Sequence, residues 1–152
     1  MERHLDTGRV ETYQHIQRVQ ELLNTSAFTL IKRGEVHDAS KLASPEVEGF
    51  TEHGPKLKEL TFDSEEYKES LKALDTAREH HYAKNRHHPE HFKNGIEDMN
   101  LFDVLEMFCD WKAASERQHD GNIRKSIDVC ADRFGISPQL VKILENTADV
   151  IS

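Results

Sequence analysis

The chain is short of the residues that staple, kink or grip polyanions. Its 152 residues hold two cysteines, one tryptophan and four prolines. Cys109 and Cys130 show no Cys-x-x-Cys spacing, so a disulfide framework or a zinc ribbon is not indicated and a reducing compartment fits. Basic residues are outnumbered, 20 Lys+Arg against 28 Asp+Glu, for a net charge of −8 at pH 7. Nucleic-acid backbones are held mainly by a Lys/Arg surplus, which argues against a general nucleic-acid binder. A phosphorylated small molecule stays open, because bound cations rather than a basic surface can neutralise phosphate. There is no apolar N-terminal stretch and no run of 18 apolar residues. The expectation is a cytoplasmic chain with neither a signal peptide nor a membrane span.

Sustained alternation of β-branched residues is lacking too, whereas helical spacing recurs throughout, so the expected class is all-α. A first helix is predicted over about residues 9–24, with Val10, Tyr13, Ile16, Val19 and Leu23 on one side and a break at Asn24-Thr25-Ser26. A second, substantially buried helix follows from about Ala27 to His37-Asp38. Ser44-Pro45-Glu46 opens a short helix that Gly54-Pro55 ends near His53. Asp63-Ser64 begins a long helix carrying Tyr67, Leu71, Leu74, Arg78 and His81 on one face. Asn94-Gly95 marks a turn before a helix of about residues 98–118, with Leu101, Val104, Leu105 and Phe108 inward. A further helix, with Ile123, Ile127, Cys130 and Phe134, stops near Gly135. Ser137-Pro138 starts the last one, whose stripe is Leu140, Val141, Leu144, Ala148 and Ile151. At this length one core is expected. No linker or repeat is visible, and the reading is a single domain over residues 1–152.

Against these shortages stands an excess: ten histidines, where average usage implies roughly three or four. His80, His81, His87, His88 and His91 crowd one short stretch. His37-Asp38, at a predicted helix end, offers one nitrogen and two oxygens to a common ion. As a dipeptide it says little, since His119-Asp120 repeats it, and an isolated pair reads first as a solvated helix end. Other candidate ligands surround it in sequence. His15 sits on a mostly apolar helical face, where an inward histidine is more often hydrogen-bonded structure than a ligand. His81 lies on the apolar stripe of its helix, while His80 is rotated about 100° toward solvent. Asp103, Glu106 and Asp110 form an acidic stripe bordering Trp111. Such a stripe is either a solvent face or a set of buried carboxylates that need a cation.

The order His, His-Asp, His, His-His, Asp along a series of helices resembles the HD superfamily of metal-dependent phosphohydrolases. His15, His37, Asp38 and Asp110 match its usual metal set. His81 and one of His87 and His88 match the extra histidines of its dinuclear branch. His37-Asp38-Ala39-Ser40-Lys41 resembles that branch's His-Asp-x-Gly-Lys segment, with serine in place of glycine. Closer still is the likeness to a family of small HD-like proteins common in phage and bacterial genomes. It is carried by HDASK (37–41), NRHHPEHF (85–92) and EMFCDW (106–111), and spans about residues 15–117.

The resemblance implies an HD-like helical bundle with the metal site between helices. Its metal-site core covers about residues 9–118, and C-terminal helices fill about 119–152. Asp38 would bridge two divalent ions, with His15, His37, His81, His88 and Asp110 completing their shells and a bridging water attacking phosphorus. Lys41 would stabilise developing charge or hold a phosphate oxygen, the alternative being a surface charge. Asn85 and His87 are candidates for substrate contact, and Glu106 for orienting a ligand or moving a proton. Tyr82, Arg86 and Arg117 read first as surface residues.

The expected function is therefore hydrolysis of a nucleotide or another small phosphoester, with one or two ions of manganese, iron, cobalt, nickel or zinc. Two other readings compete: a di-iron centre that activates oxygen, and a metal-binding protein without chemistry. Oligomeric state is not legible in the sequence.

Overall fold

A computed structural model describes residues 2–61, 64–72, 74–117 and 121–151. All regular structure among the described residues is helical, which makes the chain all-α. No helix among them is long and apolar enough to cross a membrane. The chain divides into two units, Met1–Val36 and His37–Ser152.

The first unit is one helix, α1 (Glu2–Val36), 35 residues long. The break expected at Asn24-Thr25-Ser26 does not occur. Thr25 Oγ1 donates to Glu21 O and Ser26 Oγ to Leu22 O, each at 2.9 Å. These hydroxyls fold back onto the preceding turn instead of capping a new one, a use of serine and threonine that leaves a helix continuous.

The second unit holds α2 (Glu46–Glu59), α3 (Glu65–Lys72), α4 (Asp75–Lys84), α5 (Leu101–Glu116), α6 (Ile123–Phe134) and α7 (Pro138–Ala148). Of three short 3₁₀ segments, Ala39–Leu42 precedes α2, and Pro89–His91 and Gly95–Asp98 lie between α4 and α5. Helix α2 runs through the expected stop, with Pro55 inside it. The single helix foreseen from Asp63-Ser64 to His81 is two. Ser64 Oγ does accept from Tyr67 N at 3.1 Å, but Leu74 leaves helical geometry at φ −100°, ψ 3° and α4 starts afresh at Asp75. Asp63 and the second His-Asp pair, His119-Asp120, lie outside the described residues.

Two packings organise this unit. In the first, Phe108 of α5, Ile127 of α6 and Leu144 of α7 are buried together, with Val104, Trp111, Leu140 and Val141 against them. Each such side chain contributes about 1.5–3 kcal/mol by leaving water. Local signals set these helices. Asn100 accepts from Phe102 N and Asp103 N while Asp103 accepts from Asn100 N, a reciprocal cap on α5. Gly135, at φ 63°, takes the left-handed turn that ends α6. Ser137 caps α7, with Pro138 in its first turn. In the second packing α2 lies against α4. The helices are so close that a Cβ on Gly49 would stand 2.8 Å from the Cβ of Ala77. Glu46 lies one turn before Gly49, and His80 and His81 one turn after Ala77, so this contact sets the carboxylate beside the histidines.

Candidate metal centre

Asp38 is the only non-glycine residue with positive φ among those described, at 57°. Aspartate tolerates this left-handed conformation better than most residues. It opens the Ala39–Leu42 segment, where Lys41 N donates to Asp38 O at 2.9 Å. Its carboxylate lies at the middle of a group drawn from four parts of the second unit.

One oxygen, Oδ1, faces His81 Nε2 at 3.2 Å and His87 Nε2 at 3.4 Å. His88 Nε2 lies 2.9 Å from His81 Nε2. The other oxygen, Oδ2, faces Lys41 Nζ at 2.5 Å and His37 Nε2 at 3.6 Å. His37 Nε2 is in turn 3.6 Å from Asp110 Oδ1. Asp38 thus belongs to two sets whose donor atoms are close enough to share an ion, Asp38-His81-His87-His88 and His37-Asp38-Asp110. A third set, His37-His87-Glu106, shares two of the same histidines.

The fit to a cation can be tested on the donors themselves. Among the described residues, Asp38 Oδ1 and His87 Nε2 are buried without a hydrogen-bond partner, although they face each other. A buried polar pair of this kind carries a desolvation cost that a cation between the two atoms removes. Ligands about 2.1 Å from an ion stand about 3.0–3.4 Å apart at octahedral or tetrahedral angles, close to the spacings around Asp38 Oδ1. The group can hold a metal ion.

Electrostatics follow from the same contacts. Burial works against ionised Asp38, but the His81 and His87 rings beside it and the hydrogen bond from Lys41 outweigh it and hold the carboxyl far below the usual range. His37, flanked by the Asp110 and Glu106 carboxylates, is raised to about 10. His88 is pushed down to about 3 by burial and by repulsion from His87 and His81, so at neutral pH its ring keeps a free lone pair. Burial opposes charge on His87, yet Asp38 and Glu106 pull its pKa upward. Asp110 is held low, with the nearby His37 ring overcoming its burial.

A layer of hydrogen bonds orients these rings. Glu106 Oε1 accepts from His37 Nδ1 at 2.9 Å and lies 3.2 Å from His87 Nδ1. Glu46, fully buried, lies 2.7 Å from both His81 Nδ1 and His80 Nδ1. Glu46 carries no local signal of this role, since in the sequence it stands only in the first turn of a helix. His80, expected in solvent, keeps 35 % of its side chain exposed but is tied to Glu46.

Other expectations are revised. His87 is buried against Asp38 and Glu106 rather than poised for substrate, and both His87 and His88 join the group, where the resemblance required one. The Asn85 amide is spent internally, donating to Ser40 Oγ at 2.7 Å and to His81 O at 2.8 Å. Asp103 lies apart from the ligand group, capping α5 and receiving both Nε and an Nη of Arg86. His15 lies on α1, in the first unit.

Buried nitrogen and oxygen donors converging between helices define a candidate metal-binding protein. The chain belongs to a family of unknown function, DUF5662, which it matches over residues 5–150. No curated protein and no solved structure matches it.

Proposed function

We propose that the protein is an HD-type metal-dependent phosphohydrolase acting on a small phosphoester, with nucleotides the first class to test. The observation that carries this reading is the division of Asp38, whose two oxygens face different histidines and which belongs to two possible ion sites at once. A carboxylate so shared suits a pair of ions clamping one phosphate. Asp38, His37, His81, His87, His88 and Asp110 would hold them. Imidazole and carboxylate donors without thiolate suit manganese, iron, cobalt, nickel or zinc.

Divalent ions bound there lower the pKa of a water and neutralise phosphate charge. The chain's own residues do the rest. Glu106 keeps the rings of His37 and His87 in register through their Nδ1 atoms, and its partly buried carboxylate can take up and return a proton. Lys41, about a third exposed beside Asp38, supplies a cation within reach of a phosphate oxygen.

The test is release of phosphate from nucleoside mono- and triphosphates, cyclic dinucleotides and p-nitrophenyl phosphate by protein loaded with each ion in turn. Turnover with manganese or cobalt, reduced about 100-fold by Lys41→Ala, is the expected result. No phosphate release from any ester, with oxygen uptake by the iron-loaded protein, overturns it in favour of oxygenase chemistry.

A further inference from the structure

We infer that Glu46, anchored by Ser40, is a positioning residue that selects which nitrogen of His81 faces the metal centre. The inference rests on the metal-centre reading above but not on its chemistry.

An imidazole can present either nitrogen to an ion, and the choice is set by the bond that the other nitrogen makes. His81 is 2 % exposed and Glu46 0 %, so neither can turn to water for a partner. Glu46 Oε2 lies 2.7 Å from His81 Nδ1. A carboxylate can only accept, so Nδ1 carries the proton and Nε2, 3.2 Å from Asp38 Oδ1, is left with its lone pair toward the group.

Glu46 is itself fixed at three points. His80 Nδ1 donates to Oε1 at 2.7 Å, His81 Nδ1 donates to Oε2, and Ser40 Oγ donates to Oε2 at 3.0 Å. Ser40 in turn accepts from Asn85 Nδ2 at 2.7 Å. Three donors thus point at one acid. Ser40 and the buried glutamate form one device, which ties the segment bearing Asp38 to the helix bearing His81. The close approach of α2 and α4 at Gly49 and Ala77 brings the acid within reach.

The experiment compares manganese and zinc affinity of wild type, Glu46→Gln and Ser40→Gly by competition with a chromophoric chelator. It is paired with the ¹⁵N spectrum of the His81 ring in metal-free protein. Glutamine offers one acceptor oxygen to three donors, so Glu46→Gln is expected to weaken metal binding about 10- to 100-fold and to mix the His81 tautomers. Ser40→Gly shifts both in the same direction by less. A merely structural acid would leave the tautomer unchanged.

Folded Glu46→Gln with wild-type affinity and a pure Nδ1–H tautomer overturns the inference. Should that variant fail to fold, Ser40→Gly decides: an unchanged affinity and ring signal overturn it, and a shift in both upholds it. Wild type that binds neither ion defeats the metal-centre reading itself, an outcome distinct from the others.

Discussion

Helix α5 serves two regions of opposite chemistry. Phe108, with Val104, Leu105 and Trp111, joins the apolar packing with α6 and α7. Glu106 and Asp110, on the same helix, reach His37. In the apolar region stability accrues by area, and neighbours can repack around a loss. In the polar region each buried atom needs a specific partner, and removing one strands another. The first region should therefore respond to substitution through stability and the second through metal affinity.

The sharpest way to break that contrast is at Asp38. Asparagine also tolerates the left-handed backbone, so Asp38→Asn removes charge with little strain. Metal binding is expected to fall to background in Asp38→Asn and Asp38→Ala alike. Circular dichroism should stay helical, because the apolar packing is untouched. Metal analysis after gel filtration checks it, and retention of metal by both variants would remove Asp38 from the centre.

The reciprocal experiment is Phe108→Ala. The side chain is fully buried at the heart of the apolar cluster, and its loss is expected to cost about 3–5 kcal/mol. Urea denaturation measures it. Below the transition, the remaining folded protein should keep nearly wild-type metal affinity. A large affinity loss with little destabilisation would mean that the two faces of α5 are not separable.

The two regions also differ in how much of them the sequence discloses. The stripes of α5, α6 and α7, the turn at Gly135 and the start at Ser137-Pro138 are all local, so spacing and turn chemistry suffice to place them. His37, Asp38, His81, His88, Asp110 and the orienting Glu106 were legible as residue types in a telling order. Glu46 was not, because its partner His81 is 35 residues away and no local pattern pairs a first-turn glutamate with a distant ring. Asn85 misled for a related reason: its amide closes the end of α4 and anchors Ser40. At Asn24-Thr25-Ser26 the residues suit a cap, but their hydroxyls bond four residues back within a continuing helix.

Acidity separates the regions further. His37 is raised to about 10 from 6.5 by the Asp110 and Glu106 carboxylates beside it, so at pH 7 it holds a proton that an entering ion must displace. Metal uptake at pH 7 is expected to release about one proton from this ring. Apparent affinity should then rise about tenfold per pH unit for that proton between pH 7 and 9. Calorimetry in buffers of different ionisation heat reads the proton directly. The sign reverses for stability without metal: a raised histidine pKa stabilises fully below 6.5, and that contribution is lost as pH climbs through about 10. Metal-free protein should therefore lose stability from neutral to alkaline pH while the metal-loaded protein does so less.

The smallest effects test whether the regions communicate through α5. Asn100 caps α5 and Ser137 caps α7, and replacing either by alanine is expected to cost about 1 kcal/mol. Helix α7 contributes to the apolar packing and supplies no ligand, so Ser137→Ala should leave metal affinity unchanged. Asn100→Ala loosens the first turn of the helix that carries Glu106 and Asp110, because it removes the oxygen that accepts from Phe102 N and Asp103 N. A matched stability loss should therefore come with a severalfold drop in metal affinity. Identical affinities in the two variants would show that the cap's loss is absorbed before Glu106, and that the packing around Phe108 alone is enough to hold the carboxylates in place.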